Sequence, residues 1–452
     1  MDVQIKKYWI VILLIGFALL YATYVGSHEY WDEAVYLSNA RDKVNQSYFL
    51  EDFRFPLLEY TVGFFWLFFP LSTISAQSLM IVFSLWSIWI LYVLLKEEKI
   101  PTPIQIGILL LYGLMPLLLE WSFRAYGDIP SIAAMMMSIY AYIRYTKTKT
   151  SFWLYMWVAM AVVSFLFRFS TILFIIPLGI HFLSGKKDIL KAILAGLLLL
   201  SPWLIFNYIT YGNPLWDLTA QGSVILEYTT MQSVSEWIPA LQQNFHYILL
   251  LSMIGLVTLK KKDHLPLLLA SILLIHVLFH SFVVRLKLDR YILVFAPFIF
   301  FFAARGAQQL QQRLKQQGRK IIIGIFALLI IITTSHAISY HQQFVQDETC
   351  KEFYEISTQL SIPQGARVAS TDWAYYGWFL NVHASATWTS NLSDLFYPIP
   401  PDYIILHKPG SIQVDYEAFA TSPHLEKIQQ HKVNCGREVI IYKVNTYKEI
   451  TI

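Results

Sequence analysis

Asp32 and Glu33 stand side by side in the segment His28-Glu29-Tyr30-Trp31-Asp32-Glu33, immediately after the first apolar stretch of the chain. A carboxylate within hydrogen-bond reach of an alcohol can take its proton as the oxygen attacks, a contribution of roughly 10²–10⁴-fold. Further charges occupy comparable polar connections. Arg54 lies in Arg54-Phe55-Pro56-Leu57, Arg124 and Asp128 lie in Glu120-Trp121-Ser122-Phe123-Arg124-Ala125-Tyr126-Gly127-Asp128-Ile129-Pro130, and Arg168 separates two apolar runs. Arg285, Lys287, Asp289, Arg290 and Tyr291 follow a later one. A guanidinium fork matches the geometry of a phosphate. Acids and arginines together suit a reaction in which a phosphate leaves and a hydroxyl attacks. Cleavage of the anomeric C–O bond of a lipid phosphate-sugar is such a reaction, because charge grows on the phosphate and fixed cations must meet it.

The elements that would position these residues are apolar. The chain has 452 residues, 56% hydrophobic and 14% charged, with 31 Phe, 28 Tyr and 14 Trp. A soluble domain carries about 25% charged residues; this composition fits membrane helices with aromatics at the interfaces. The hydropathy pattern predicts a polytopic α-helical membrane protein, with spans near 8–25, 78–95, 103–119, 129–145, 152–167, 170–184, 189–209, 244–259, 264–283, 290–304 and 319–338. Several are nearer 16 residues than the roughly 20 that a bilayer requires. The first run lacks a small-x-small cleavage site and reads as a retained helix rather than a removed signal.

The polar connections alternate. Lys6/Lys7, Lys96/Lys99, Arg144/Lys147/Lys149, Lys186/Lys187/Lys191, Lys260/Lys261/Lys262 and Arg305/Arg313/Lys315/Arg319/Lys320 occupy every second one. The positive-inside rule makes that set cytoplasmic, with the N-terminus inside. Asp32, Glu33, Asp128 and the arginines near them then share the extracytoplasmic side, the arginines against the bias of the rule. Charged groups near the bilayer usually face a cavity or pathway. The net charge of +4 averages this basic membrane part with a mildly acidic tail, and gives nucleic-acid binding no support.

Two regions differ from the helical pattern. The first outside loop, about 26–77, contains Phe64-Phe65-Trp66-Leu67-Phe68-Phe69-Pro70, too short to span and suited to lying along the membrane surface or re-entering it. Residues 339–452 alternate short β-like runs (Ala366–Ser370, Asp402–Leu406, a closing Val439–Val444) with polar segments, which predicts a small extracytoplasmic α/β domain. The expected division is a membrane module over 1–338, first loop included, and a domain over 339–452. Cys350 and Cys435 both lie in that domain, where they can form one disulfide or stay as two free buried thiols. Asn45-Gln46-Ser47 and Asn391-Leu392-Ser393 match the N-glycosylation triplet, which also occurs by chance.

Simpler roles stand beside each of these readings. Asp32 and Glu33 can cap an interfacial helix, since acids favour helix N-termini. Asp128 before Ile129-Pro130 has the pattern of a helix cap, and Arg124 can extend to lipid headgroups. His276 and His280 share a helix face at a spacing that can hold a metal, yet two packed histidines fit as well. His28 with Glu29 and Asp32 is a similar cue.

Taken in order, the residues resemble the GT-C membrane glycosyltransferases, in the branch holding protein O-mannosyltransferases and the lipid A aminoarabinose transferase. The resemblance spans nearly the whole chain. It rests on Asp32-Glu33 after helix one with Tyr36 three residues on, on Arg54-x-Pro-Leu, on Arg124-x-x-x-Asp128-x-Pro130, on Arg290-Tyr291 before a late helix, and on the C-terminal domain. Many relatives have Lys-Pro-Pro where this chain has Arg-Phe-Pro.

The resemblance implies a hexosyl- or pentosyltransferase with a polyprenyl- or dolichyl-phosphate-linked sugar as donor and a protein, lipid or glycan hydroxyl as acceptor. It implies inversion at the anomeric centre, with Asp32 as the base and Glu33 and Asp128 arranging the acceptor or a divalent cation. Arg54, Arg124, Arg168, Arg285 and Arg290, with Tyr36 and Tyr291, would meet the donor. Two other classes are weighed against it. A transporter or lipid flippase places ionisable groups near the midplane and often shows related halves, and here the helix centres are nearly charge-free. A non-catalytic relative of the same fold would only bind lipid.

Overall fold

The computed structural model describes residues 5–26, 29–45, 51, 54–182, 188–228, 231–345, 353, 356–360, 362–363, 365–386, 400–408, 414–432 and 438–445. His28, both cysteines, the Asn391-Leu392-Ser393 triplet and all but Asn45 of the other triplet fall outside the described residues. Helices dominate: α1 (Ile5–Ala22), α2 (Trp31–Asn45), α3 (Leu57–Trp66), α4 (Thr73–Glu97), α5 (Thr102–Gly113), α6 (Pro116–Trp121), α7 (Asp128–Thr148), α8 (Ser151–Phe167), α9 (Ile175–Phe182), α10 (Ile189–Tyr211), α11 (Trp216–Tyr228), α12 (Ile238–Phe245), α13 (Ile248–Val257), α14 (His264–Phe282), α15 (Ala296–Arg313) and α16 (Lys315–Val345). Tighter 3-10 turns at Phe169–Phe174 and Asp289–Val294 lead into α9 and α15. Backbone contacts divide the chain into two units. One comprises Met1–Val25, Phe53–Leu58 and Gln77–Phe344; the other comprises Gly26–Asp52, Glu59–Ala76 and Val345–Ile452.

The first unit is a helical membrane body. Among the described residues four helices are long and apolar enough to cross a bilayer: Thr73–Glu97, Ile189–Tyr211, His264–Phe282 and Gln317–Gln342. Val234–Phe245 and Ile248–Val257 form a further pair bent by 98°. Other expected spans are helical but interrupted. The run at 103–119 breaks after Gly113, and a new helix starts at Pro116, because proline has no amide hydrogen and is suited to the first helical position. The run at 170–184 opens as a 3-10 turn before α9.

Burial sorts the helices by partner. Only 6% of the apolar window of α10 is buried within the protein, which leaves its leucines on an outer face of the kind that suits lipid. By contrast α7 and α15 are nearly enclosed, and α15 contributes Phe298, Phe300, Phe301 and Phe302 to the core. Close approach is built from small residues: a Cβ on Gly306 would lie 1.9 Å from the Leu251 carbonyl oxygen, so α13 and α15 touch through their backbones. Ser138 Oγ donates to the Trp157 carbonyl at 2.9 Å and Ser164 Oγ to the Ser131 carbonyl at 2.8 Å, tying α7 to α8.

The second unit combines the first outside loop with the C-terminal residues. Its five strands are β1 (Arg367–Ser370), β2 (His383–Ala386), β3 (Tyr403–Lys408), β4 (Leu425–Lys432) and β5 (Glu438–Val444), in the order β2-β1-β3-β5-β4. β1 pairs in parallel with β2 and β3, while β5 runs antiparallel to β3 and β4. The strand expected to close the sheet is therefore an inner strand, and β4 forms the edge. Helix α17 (Trp373–Leu380) connects β1 to β2, and α18 (Tyr416–Thr421) precedes β4. Ala369, Ile404, Leu406, Phe419, Ile440 and Tyr442 form one packed face.

Candidate functional site

A glycine brings the first two site residues together. Any Cβ on Gly127 would lie 2.3 Å from the Phe167 carbonyl oxygen. The chain neighbours of this contact, Asp128 at the start of α7 and Arg168 at the end of α8, are therefore forced side by side. Arg168 is in an extended conformation (φ −161°, ψ 117°) that ends α8 and turns the chain into the Phe169–Phe174 turn. Its Nη1 stands 2.5 Å from Asp128 Oδ1, and its Nε–H donates to Ser170 Oγ at 3.3 Å. Asp128 is 3% exposed, and its second oxygen, Oδ2, is buried without a hydrogen-bond partner among the described residues. Its carboxylate thus carries one counter-ion and one unused acceptor.

The Asp289–Val294 turn completes the cluster. The Arg168 guanidinium lies over the Tyr291 ring, 4.6 Å from its centroid. Arg290 sits among Tyr126 (4.7 Å), Trp121 (5.5 Å) and Tyr291 (5.7 Å). Cation–π contacts of this kind orient a guanidinium. Arg124 differs. It is 4% exposed, and its Nε and Nη2 both donate to Glu120 Oε1, at 3.0 and 2.7 Å. This i,i+4 pair braces the loop between α6 and α7. Direct headgroup contact, expected of Arg124 from sequence, would require breaking a buried ion pair.

Arg54 and Arg285 are partly exposed. Phe55 stacks on Phe169 (5.9 Å) and meets Phe165 and Trp203. The backbone of Arg54 is therefore held near that of Arg168 through their chain neighbours. The loop before Arg290 is clamped: Gln232 N–H donates to the Arg285 carbonyl at 3.0 Å, Lys287 N–H to Gln232 Oε1 at 2.5 Å and Trp237 Nε1–H to the Leu288 carbonyl at 3.3 Å. Lys287 Nζ donates to the carbonyls of His280, Ser281 and Val284, groups that a helix end leaves without partners. Burial pulls this ammonium below the usual lysine range.

Asp32, Glu33 and Tyr36 belong to the second unit, on α2. Glu33 is fully buried, and its Oε2 accepts the Tyr30 N–H at 3.4 Å. That is the reach-back of a capping-box glutamate, so the capping role weighed from sequence applies to Glu33. Asp32 and Tyr36 are half-buried on the same helix. Within the first unit the structure thus unites Asp128, Arg168, Arg290 and Tyr291.

Sequence reasoning counted Lys287 among the outside charges without giving it a role, and passed over Gly127 and the aromatic box of Trp121 and Tyr126. The Glu120–Arg124 pair was legible in its four-residue spacing. His276 and His280 share a buried face; His280 Nδ1 is 2.9 Å from the His276 carbonyl, and among the described residues neither ring nitrogen of His276 has a hydrogen-bond partner. Among the described residues no group of three His, Cys, Asp or Glu side chains gathers that could hold a metal ion.

No family model matches the chain, and no curated protein matches it by sequence. Its three-dimensional likeness is clear. The fold is the GT-C membrane fold that the sequence resemblance implied. ArnT from Cupriavidus metallidurans, in the apo state, superposes with a TM-score of 0.70 at 12% identity, over 96% of this chain and 98% of ArnT. ArnT bound to undecaprenyl phosphate gives 0.68 at 12% identity, with the same coverage. The Archaeoglobus fulgidus oligosaccharyltransferase, in complex with Zn and sulfate, gives 0.56 at 12% identity, over 87% of this chain and 67% of that one.

Proposed function

We propose that the chain is an inverting glycosyltransferase that moves a monosaccharide from a polyprenyl- or dolichyl-phosphate donor to an acceptor hydroxyl on the extracytoplasmic side of the membrane. Residues 1–338, crossing the bilayer about eleven times from a cytoplasmic N-terminus, form the catalytic module. Residues 339–452 form an extracytoplasmic domain. Asp32 takes the acceptor proton as the acceptor oxygen attacks the anomeric carbon in line with the departing phosphate. Glu33 fixes the start of the helix that carries Asp32, and Asp128 holds Arg168 and offers its remaining oxygen to the acceptor. Arg168 and Arg290, with Arg54 and Arg285, meet the phosphate, whose negative charge grows as the C–O bond breaks. Tyr291 backs both inner arginines, and Tyr36 lines the donor.

The observation that carries this reading is the meeting of Asp128, Arg168, Tyr291 and Arg290 at helix ends, in a fold whose solved counterpart, ArnT, was crystallised with undecaprenyl phosphate. Helix ends are where membrane segments have backbone groups left over, and a phosphate is the ligand that ends lined with arginine suit. The test is sugar release from a panel of radiolabelled undecaprenyl-phosphate hexoses and pentoses, by purified protein in nanodiscs. Turnover of at least one donor is expected, with loss of about 10³-fold or more in Asp32→Asn. A folded Asp32→Asn protein with normal turnover sinks the assignment of the base.

A further inference from the structure

Helix α2 carries Asp32, and within its unit α2 is fastened at both ends to the small α/β domain. At the start of α2, the Trp31 ring stands edge-on to Trp373 (5.5 Å) and Tyr375 (5.7 Å) of α17, and Tyr375 is itself stacked on Phe353 at 4.4 Å. Glu29, just before it, accepts the Trp378 Nε1–H at 3.3 Å and the Thr73 hydroxyl. Toward the far end, Arg41 reaches the C-terminus of α17. Its Nη1 donates to the Trp378 carbonyl at 3.0 Å and its Nη2 to the Gly377 carbonyl at 2.8 Å, and the guanidinium lies over the Trp378 ring at 4.8 Å. Those carbonyls belong to the last turn of α17, which ends at Asn381 in the left-handed conformation (φ 53°). The last carbonyls of a helix lack partners along it, and a cation is favoured there. Arg41 is 8% exposed, and burial holds its guanidinium down at about 10. Neither a surface cap nor an adventitious contact would bury an arginine so completely with so few partners.

We infer that the α/β domain sets the position of the helix bearing Asp32, and that Arg41 is the positioning residue that fixes its tilt. This rests on the reading of Asp32 as the base. Nine residues of helix separate the two, about 13 Å at 1.5 Å per residue. A tilt of about 5° at Arg41 therefore moves Asp32 by about 1 Å, a displacement that can cost up to about 10²-fold in rate. Donor binding, assigned to arginines of the other unit, should be spared.

The test compares wild type, Arg41→Ala, Arg41→Gln, Arg41→Lys and Asp32→Asn as full chains in nanodiscs, using the undecaprenyl-phosphate sugar that wild type turns over. Arg41→Ala is expected to lose about 10- to 100-fold in kcat per folded molecule, with donor KM within about twofold. Lysine keeps the charge but not the two-carbonyl fork, so Arg41→Lys should recover about tenfold, and Arg41→Gln should fall between them. Hydrogen exchange over 31–45 should accelerate in Arg41→Ala and stay unchanged in Asp32→Asn. Normal kcat in folded Arg41→Ala beside an inactive Asp32→Asn overturns the inference and leaves the base standing. Normal turnover by Asp32→Asn removes the base instead. If no donor is turned over, the glycosyltransferase reading fails, and unchanged exchange in α2 overturns the positioning role on its own.

Discussion

Breaking the Arg168–Asp128 pair should cost more stability than almost any single change on this face of the protein, and removing both partners should cost no more than removing the arginine alone. The charged atoms are 2.5 Å apart, and their side chains are 22% and 4% exposed. Charge centres about 4 Å apart at an effective dielectric near 20 attract by about 4 kcal/mol. Deleting one partner of a buried pair typically costs about 3–5 kcal/mol, because the other charge stays buried and alone. Asp128 is the deeper of the two, so Arg168→Met strands it and should cost about 3 kcal/mol. Asp128→Asn leaves an arginine that can turn toward water and should cost about 2 kcal/mol. The double variant should lose about 3 kcal/mol rather than the additive 5, giving a coupling of about 2 kcal/mol. Equilibrium unfolding in mixed micelles with increasing SDS, followed by tryptophan fluorescence, measures all four proteins. Sugar release, by contrast, should stay abolished in the double variant, since packing can be restored without restoring the cation. A coupling below about 0.5 kcal/mol would show that these two charges do not depend on each other, and the construction of the site around them would fall.

Gly127→Ala should destabilise by about 2–3 kcal/mol and lower turnover, because the new methyl meets the Phe167 carbonyl and drives Asp128 from Arg168. Gly179→Ala, a helical glycine with nothing within 4 Å of its Cβ position, should be neutral or stabilise by up to about 1 kcal/mol in the same assay. In the α/β domain, burial would raise the Asp402 carboxyl, but the Arg367 N–H at 2.8 Å and the Arg367 guanidinium at 3.3 Å outweigh it and hold the group below its usual value. A depressed carboxyl stabilises the fold above its unfolded value, near 3.9, and that stabilisation is lost as pH falls through the depressed value. The gap in Tm between wild type and Asp402→Asn should therefore be full at pH 5–7 and close below about pH 3; a gap that widens in acid contradicts the assignment.

How much of this was legible in the sequence follows from which forces write themselves locally. Apolar runs, their alternating basic connections and the style change near 339 are properties of short windows, and the helices and C-terminal sheet lie where those windows point. Breaks inside runs were less legible: Pro116 is visible as a breaker, but the extended Arg168 that ends α8 has no breaker residue, and tertiary contact with Gly127 imposes it. β4, with the sequence Leu-Glu-Lys-Ile-Gln-Gln-His-Lys, escaped notice because an exposed edge strand needs no apolar alternation. Charges on one face could be gathered by topology, but not paired. That Arg124 is spent on Glu120, Arg290 boxed by Trp121 and Tyr126, and Arg41 on the end of α17 depends on contacts spanning up to 337 residues.

The placement of the cluster follows from the demands of a membrane on a backbone. A helix satisfies its own hydrogen bonds except at its ends, so in a bilayer irregular chain is tolerated only where protein or a cavity surrounds it. Each charged member of the cluster stands at such an end: Asp128 in the first turn of α7, Arg168 at the extended stop of α8, Arg290 in the 3-10 turn before α15. Packing these three ends together lets leftover backbone groups and charges compensate one another, as Lys287 does for α14. The same packing leaves Asp128 Oδ2 unused and the arginines held on aromatic faces. Elsewhere in the unit the Arg305 guanidinium reaches both Glu98 and Asp263, whereas Asp128 has a single arginine partner and, among the described residues, an Oδ2 without a hydrogen-bond partner.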